Sequence, residues 1–314
     1  MQKELRRLSD FHETSRGLGY FCSLGNEEPQ FAQVMGGLLE KRSTRSEWLF
    51  WILSGEQVLA RWGLLEGKGP QSLRLFGFAF SHLGSGDDPP FLDDTTISLF
   101  QKSLETLQAQ KIRKIEYQLH SDDSGYSTIR KWLQGSGFQL FQQKKRFCAT
   151  IPFSSGEWTM EFQPVSQLPA TQFHQVFQDA YGNTLDRSDA SLVEEWGEEE
   201  AARRHEALLR SMDDNPKEWF VGFVGGYPVG LVIPQMIQDT LGTINHIAVV
   251  PEHRGNGFGE QLLRWGMVRL QDRGAKEVVA DVDALNLPMQ NALTRNGFVA
   301  EKTIELFRCL FRET

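Results

Sequence analysis

The chain has 314 residues, 40% hydrophobic and 24% charged, with 22 Phe, 8 Trp and a net charge of −8. That length accommodates two ordinary domains with a core each, and the aromatic content excludes wholesale disorder. The acidic balance excludes a general attraction to nucleic acid or an anionic membrane, no apolar run reaches the length of a membrane span, and the opening MQKELRRLSDF lacks the apolar stretch of an export signal, so a cytoplasmic location is expected.

In chain order, FAQVMGGLLEKR (31–42) predicts a helix, WLFWILSGEQVLARWGLLE (48–66) a hairpin and LRLFGFAF (73–80) a strand. Helix 95–110, strand KIEYQL (114–119), helix 126–135 and strand KKRFCAT (144–150) follow. IPFSSGE (151–157), rich in Ser, Gly and Pro, reads as a linker and divides the chain into domains 1–150 and 157–314. Beyond it come strand WTMEFQPV (158–165), helices 169–181 and 188–212, and WFVGFVGGYPVGLVIPQMI (219–237), a hairpin about Gly-Gly. TINHIAVV (243–250) is a strand, 257–273 an amphipathic helix stopped by Gly274, EVVADV (277–282) a strand, 287–296 a helix and FVAEKTIELFRCLF (298–311) a last hairpin. This order describes a mixed sheet with helices on its faces, an α/β (α+β) fold. The first half repeats it in looser form: WGLL (62–65) parallels VGLV (229–232), and WLQGSGF (132–138) parallels ALTRNGF (292–298).

Cys22, Cys148 and Cys309 are odd in number and far apart, giving no disulfide framework and no CxxC pair; they read as plain buried residues, with a catalytic thiol as the alternative. No HExxH occurs, and no metal site is expected. The most informative stretch is VVPEHRGNGFGEQLL (249–263), where glycines at 255, 257 and 259 lie between a strand and a helix. Glycines let backbone amides turn toward a ligand, the helix start adds unpaired amides and the positive end of its dipole, and Arg254 adds charge and donors: together, an anion site. No Gly-Lys-Ser/Thr follows, which excludes a P-loop, and the GxGxG spacing departs from the GxGxxG of dinucleotide-binding turns.

IAVVPEHRGNGFGEQLL (247–263) closely resembles the acetyl-CoA-binding segment of the GNAT superfamily of N-acyltransferases, whose pattern is Arg or Gln, two residues, Gly, one residue, then Gly or Ala; Arg254, Gly257 and Gly259 fill it. Asn286 followed by ALTRNGF resembles the family's second cofactor segment. The resemblance implies two tandem GNAT-like mixed-sheet domains, specific for the C-terminal half and topological for the N-terminal half. It implies acetyl-CoA as cofactor, with the backbone of Ile247, Ala248 and Val249 pairing with pantetheine like an added strand. Amides of Gly255, Asn256, Gly257, Phe258, Gly259 and Glu260 would cradle the pyrophosphate, in a slot where the strands equivalent to 243–250 and 277–282 splay apart. Asn286 would bond the cofactor arm or a bridging water, or else cap a helix.

The resemblance further implies acyl transfer to an amine, which must lose a proton before it attacks. Asp281, on the strand five residues before Asn286 where several members carry a catalytic Glu, is the first candidate base; Asp283 shares its strand face and could hold the amine instead. His246 is the second, imidazole being a group that titrates near neutrality, although strand alternation could also point it into the core or solvent. The leaving thiolate is commonly protonated in this family by a Tyr seven residues after the Asn, where this chain has Leu293; Tyr181 and Tyr227 are the alternatives, each also readable as a packed aromatic. EEWGEEEAARRHE (194–206) reads as a solvated helix face or an attraction for a cationic acceptor. In the first half, SHLGSGDDPPFLDD (81–94) keeps Gly84 and Gly86 but sets Asp87, Asp88, Asp93 and Asp94 around them, which would repel a pyrophosphate, so that domain is expected to be a degenerate copy. The expectation is an acetyl-CoA-dependent N-acetyltransferase acting by direct attack on a small-molecule or peptide amine, without nucleic-acid or membrane partners; the alternative is a CoA-binding regulatory or scaffold protein.

Overall fold

The computed structural model describes residues 3–22, 24, 28–67, 71–81, 93–152, 157–212 and 216–311. In chain order these form β1 (Lys3–Arg7), α1 (Thr14–Cys22), α2 (Glu28–Glu40), β2 (Leu49–Ser54), β3 (Gln57–Glu66), β4 (Ser72–Phe80), α3 (Asp94–Gln108), β5 (Lys114–His120), α4 (Tyr126–Gly135) and β6 (Gln139–Thr150). There follow β7 (Glu161–Pro164), α5 (Ala170–Tyr181), α6 (Arg187–Trp196), α7 (Glu198–Met212), β8 (Phe220–Val224), β9 (Tyr227–Gln238), β10 (Leu241–Val249), α8 (Phe258–Asp272), β11 (Glu277–Asp283), α9 (Leu287–Arg295) and β12 (Val299–Leu310). Two compact units result: Met1–Phe141 with Ile304–Thr314, and Gln142–Thr303.

The first unit's sheet runs β1-β2-β3-β4-β5-β12 and the second's runs β6-β11-β10-β9-β8-β7. Both are mixed, because the fourth and fifth strands of each half run parallel while the neighbouring pairs are antiparallel. Composition placed the division at 151–157, but the units divide at 141/142 and 303/304. The reason is pairing: β6 runs antiparallel to β11 from Lys144 to Thr150, and β12 antiparallel to β5 from Ile304 to Leu310. The last strand of each half thus belongs to the other half's compact unit.

Apolar runs in the sequence become strands covered on both faces. In β2, Leu49 and Trp51 join Leu8, Phe21 and Met35 on one side, while Phe50 and Ile52 join Trp62, Phe100 and Leu133 on the other. In the second unit, Val232 and Ile244 pack with Leu262, Met267 and Leu293 of α8 and α9, whereas Leu231 and Ile233 pack with Phe173, Phe177 and Ala202 of α5 and α7.

Three elements differ from the sequence reading. Residues 298–311 are not a hairpin but mainly one strand, β12. The helix expected over 188–212 is two, because Gly197 at φ +78° ends α6 before α7 begins. The charged KELRR of β1, unanticipated, pairs with β2 as an edge strand. The match of WGLL to VGLV also slips in register: Val249 pairs with Gly230, and its counterpart at the end of β4, Phe80, pairs with Ala60 rather than Gly63.

Candidate active site

In the second unit, β10 and β11 pair only over residues 241–243 against 277–279. Beyond that point β10 stays with β9 and β11 with β6, so the two parallel strands part, and the edge carrying Ile247, Ala248 and Val249 is left open toward β11. Immediately after β10 the chain makes a single turn, Pro251–His253, and Gly255 and Gly257 take φ of +82° and +80° before α8 begins at Phe258. A Cβ at either glycine would meet nothing within 4 Å, so these positions demand the left-handed angle rather than space. Among the described residues, the amides of Gly255, Asn256, Gly257, Phe258 and Gly259 donate to no protein acceptor, whereas that of Glu260 bonds Gly257 O at 3.1 Å. The Glu260 carboxylate is neutralised by Arg295, 2.9 Å away. Five open amides at a helix start with the adjacent acid paired are what an anionic phosphate requires.

Arg254 spends four of its five N–H donors on backbone carbonyls rather than on such an anion. Its Nε donates to Val249 O (2.9 Å), Nη1 to Asn183 O (2.8 Å), and Nη2 to Gly182 O (2.8 Å) and Ala180 O (3.3 Å). Burial draws this guanidinium below its ordinary pKa, against the opposing charge of Glu252.

His246 owes its direction to an irregularity. Ile244 pairs with Pro234 and His246 with Ile233, so Asn245 is an extra residue, a β-bulge that reverses the inside-outside alternation. Ile244 therefore packs among α8 residues, while the His246 ring stacks on Phe177 of α5 at 5.1 Å and lies 5.0 Å from the ring of His205 on α7. Tyr181, the last residue of α5 and only 2% exposed, hydrogen-bonds His205 Nδ1 through its hydroxyl. His205 Nδ1 lies 3.7 Å from Asp189 Oδ1, and one polar atom from each of Asp189, His205 and His246 falls within 4.8 Å of the others. Burial, then the charges of Asp189 and Asp186, pushes the Tyr181 phenol well above its ordinary range.

The structure thus brings together two sequence candidates, His246 and Tyr181, and adds His205 and Asp189. The charged run that hides His205 is a solvated face, with Glu200 holding Arg203 and Arg204 and Glu206 holding Arg210. Yet Ala201, His205 and Leu209 recur at four-residue spacing, and the alanine and leucine are buried; that inward stripe is the signal that could have found it. Asp189 is fixed by the cap before it: Asp186 accepts from the amides of Ser188 and Asp189 and is anchored by Lys144 Nζ at 2.7 Å. Burial works to raise the Asp186 pKa, but the charge and hydrogen bond of Lys144 outweigh it and hold the carboxyl below the usual carboxylate range.

The other candidates are placed elsewhere. Asp281 is exposed and gripped through both oxygens by Arg146 of β6, at 2.7 and 2.8 Å. Asp283 is buried and accepts from the protein's own donors, Gln142 Nε2 (2.7 Å), Arg187 N (3.1 Å) and Leu285 N (2.8 Å). Asn286 caps α9, its Oδ1 accepting from Met289 N at 3.2 Å. Leu293, at the usual tyrosine position, is core. Tyr227 lies exposed at the β8–β9 hairpin, and all three cysteines are free, with Cys22 and Cys309 buried.

The first unit repeats the parting of strands but fills it. β4 and β5 pair over residues 72–74 against 114–116, and beyond them Phe78 meets Tyr117 at 5.6 Å and Trp132 at 4.5 Å, with Phe80 5.0 Å from Trp132. Gly84, Gly86, Asp87 and Asp88 lie outside the described residues; Asp93 caps α3 and Asp94 begins it.

Residues 171–298 match the model of the Acetyltransferase (GNAT) family. This part of the chain is a GNAT acetyltransferase domain. The chain is also similar to a mycothiol acetyltransferase from Streptomyces bingchenggensis (strain BCW-1), 31% identical over 108 residues, which is 32% of this chain and 35% of that protein. The match therefore spans about a third of the relative's length. Two solved structures share the fold over nearly the whole chain. A GCN5-related N-acetyltransferase from Sphaerobacter thermophilus superposes with TM-score 0.68 at 15% identity, covering 99% of this chain and 96% of that one. A tandem GNAT protein from the clavulanic acid biosynthesis pathway gives 0.57 at 11% identity, with 100% of both chains covered. The chain accordingly has two GNAT-like folds in tandem, and no helix among its described residues is long and apolar enough to cross a membrane.

Proposed function

We propose that the second unit transfers an acetyl group from acetyl-CoA to a primary amine by direct attack within a ternary complex. The observation that carries this reading is the set of five open amides, 255–259, at the end of a strand whose edge over 247–249 is unpaired. That edge suits the amides and carbonyls of a pantetheine arm as an added strand would, and the amides suit its pyrophosphate.

Acetyl-CoA, when bound, supplies an acetyl carbon activated as a thioester. The protein's task is then proton traffic. An amine with pKa near 10 is about 99.9% protonated at neutral pH, and freeing it costs about 4 kcal/mol. His246 takes that proton, Tyr181 gives one to the departing sulfur, and His205, oriented by Asp189, restores the tyrosine. The products are an amide and a free thiol: of the two protons the ammonium loses, the first leaves through His246 to solvent, and the second, lost after attack, passes through His205 to replace the one Tyr181 gives to the sulfur. The raised phenol keeps Tyr181 protonated and able to donate. Asp281, held by Arg146, is assigned to joining β6 and β11. No Cys or Ser–His pair is available at the turn for a covalent intermediate.

The first unit is read as a copy that has kept the fold without a cofactor, because aromatic rings occupy its parted strands. One observation favours a second reading, a CoA-binding protein without turnover: Leu293 leaves the usual acid position apolar. Calorimetric titration with acetyl-CoA, CoA and NADH, then thiol release from acetyl-CoA with small-molecule and peptide amines, tests the proposal. Binding of neither CoA species refutes both readings; binding without thiol release for any amine selects the second.

A further inference from the structure

Arg254 belongs to the cofactor turn by sequence, yet its bonds go elsewhere. Its four bonds join the last residue of β10 to the carbonyls of Ala180, Gly182 and Asn183 at the end of α5. The final carbonyls of a helix have no partner within it, and a guanidinium is well suited to collect several at once. Tyr181 sits inside the segment so collected. From these bonds we infer that Arg254 is a positioning residue: it ties the strand end that faces the acyl donor to the helix end that bears the Tyr181–His205 pair, rather than pairing with the pyrophosphate.

The rest of this junction is built the same way. The Gly182 amide bonds Asp179 O at 3.1 Å, and a Cβ on Gly182 would lie 3.2 Å from both that oxygen and Pro251 Cγ, so α5 ends tightly against the residue that opens the turn. Thr184 N bonds Tyr181 O at 3.2 Å, and the chain then enters the Asp186 cap that fixes Asp189. Releasing Arg254 frees the segment between two groups of the cluster while leaving the five amides of the turn in place. A lysine in its position has one ammonium centre and cannot reach four carbonyls spread over both elements.

This inference rests on the proposed acyl transfer only for its kinetic arm. The experiment compares Arg254→Ala and Arg254→Lys with the parent by hydrogen–deuterium exchange, acetyl-CoA calorimetry and steady-state kinetics. Expected are exchange over 179–186 faster by about tenfold or more in Arg254→Ala, an acetyl-CoA Kd within about threefold of the parent, and a kcat lower by about tenfold or more at nearly constant KM for acetyl-CoA, with partial rescue by lysine. Unchanged exchange over 179–186, or a Kd weakened more than about tenfold with kcat retained, overturns the inference and returns Arg254 to the pyrophosphate. If the alanine variant fails to fold, the lysine variant carries the same comparison. If the parent binds no acetyl-CoA, the proposed function falls, while the exchange arm still decides the role of Arg254.

Discussion

Replacing Gly257 by alanine separates the turn's conformation from its chemistry. With φ at +80° and nothing within 4 Å of the added Cβ, the penalty is in the backbone alone. An L-residue in the left-handed region costs about 1–2 kcal/mol. If the turn keeps its shape, that strain appears as lost stability, a Tm lower by roughly 2–8 °C for a unit of this size, with acetyl-CoA affinity preserved. If it relaxes instead, amides lose their aim. Each hydrogen bond to a charged group contributes about 1.5–3 kcal/mol, so losing one weakens Kd by about 10- to 150-fold. Gly259 is the control, since it does not have a positive φ and a Cβ there would make ordinary contact with Val249 Cγ2 at 3.6 Å; Gly259→Ala should change stability by less than about 0.5 kcal/mol. Thermal unfolding and calorimetry with acetyl-CoA and CoA read both quantities. A Gly257→Ala protein unchanged in both Tm and Kd would refute the argument that this turn is a left-handed amide cradle.

Other perturbations address the proton chemistry and its supports. Tyr181→Phe should lower kcat by about 10²- to 10⁴-fold while leaving acetyl-CoA binding nearly unchanged; because the phenol is raised, the parent's pH–rate profile should show no loss near the ordinary tyrosine range that disappears in the variant. Asp281→Asn should keep turnover within about threefold across pH, and a larger loss measured by thiol release would restore Asp281 as the base. Asn286→Ala removes the α9 cap and should reduce stability by about 1 kcal/mol in thermal unfolding; a greater effect on acetyl-CoA Kd than on stability would point to the cofactor arm instead. The Asp186 carboxyl, lowered in the folded state by Lys144, contributes stability above the ordinary carboxylate pKa that is lost as pH falls through its depressed value. Asp186→Asn should therefore destabilise at neutral pH, and the gap between parent and variant should close in acid unfolding scans; a gap that widens with acidity contradicts the pairing.

Much of the fold was legible because local rules and tertiary packing agreed. The hairpins at 48–66 and 219–237, the helix after the glycine turn and the strand at 277–282 all carry periodicity that burial then uses. Where the rules conflicted, the reading failed. KELRR has no apolar pattern, and in β12 the charged Glu301 and Lys302 precede the stretch, Ile304–Leu310, that pairs with β5.

The sequence by itself determined the glycine turn, since Gly255 and Gly257 carry a backbone angle that few other residues adopt, and the angle opens the amides wherever the turn is placed. It also determined that the usual tyrosine is absent at position 293. Only tertiary structure decided which side chains meet. A one-residue bulge at Asn245 turns His246 toward α5, a stripe on α7 brings His205 to Tyr181, and sheet pairing, not the linker, sets the compact units. Backbone conformation is a local property and is written locally. Which face a side chain takes, and which strand a strand joins, depends on partners as far away as Arg146 is from Asp281, and those contacts exist only in the folded chain.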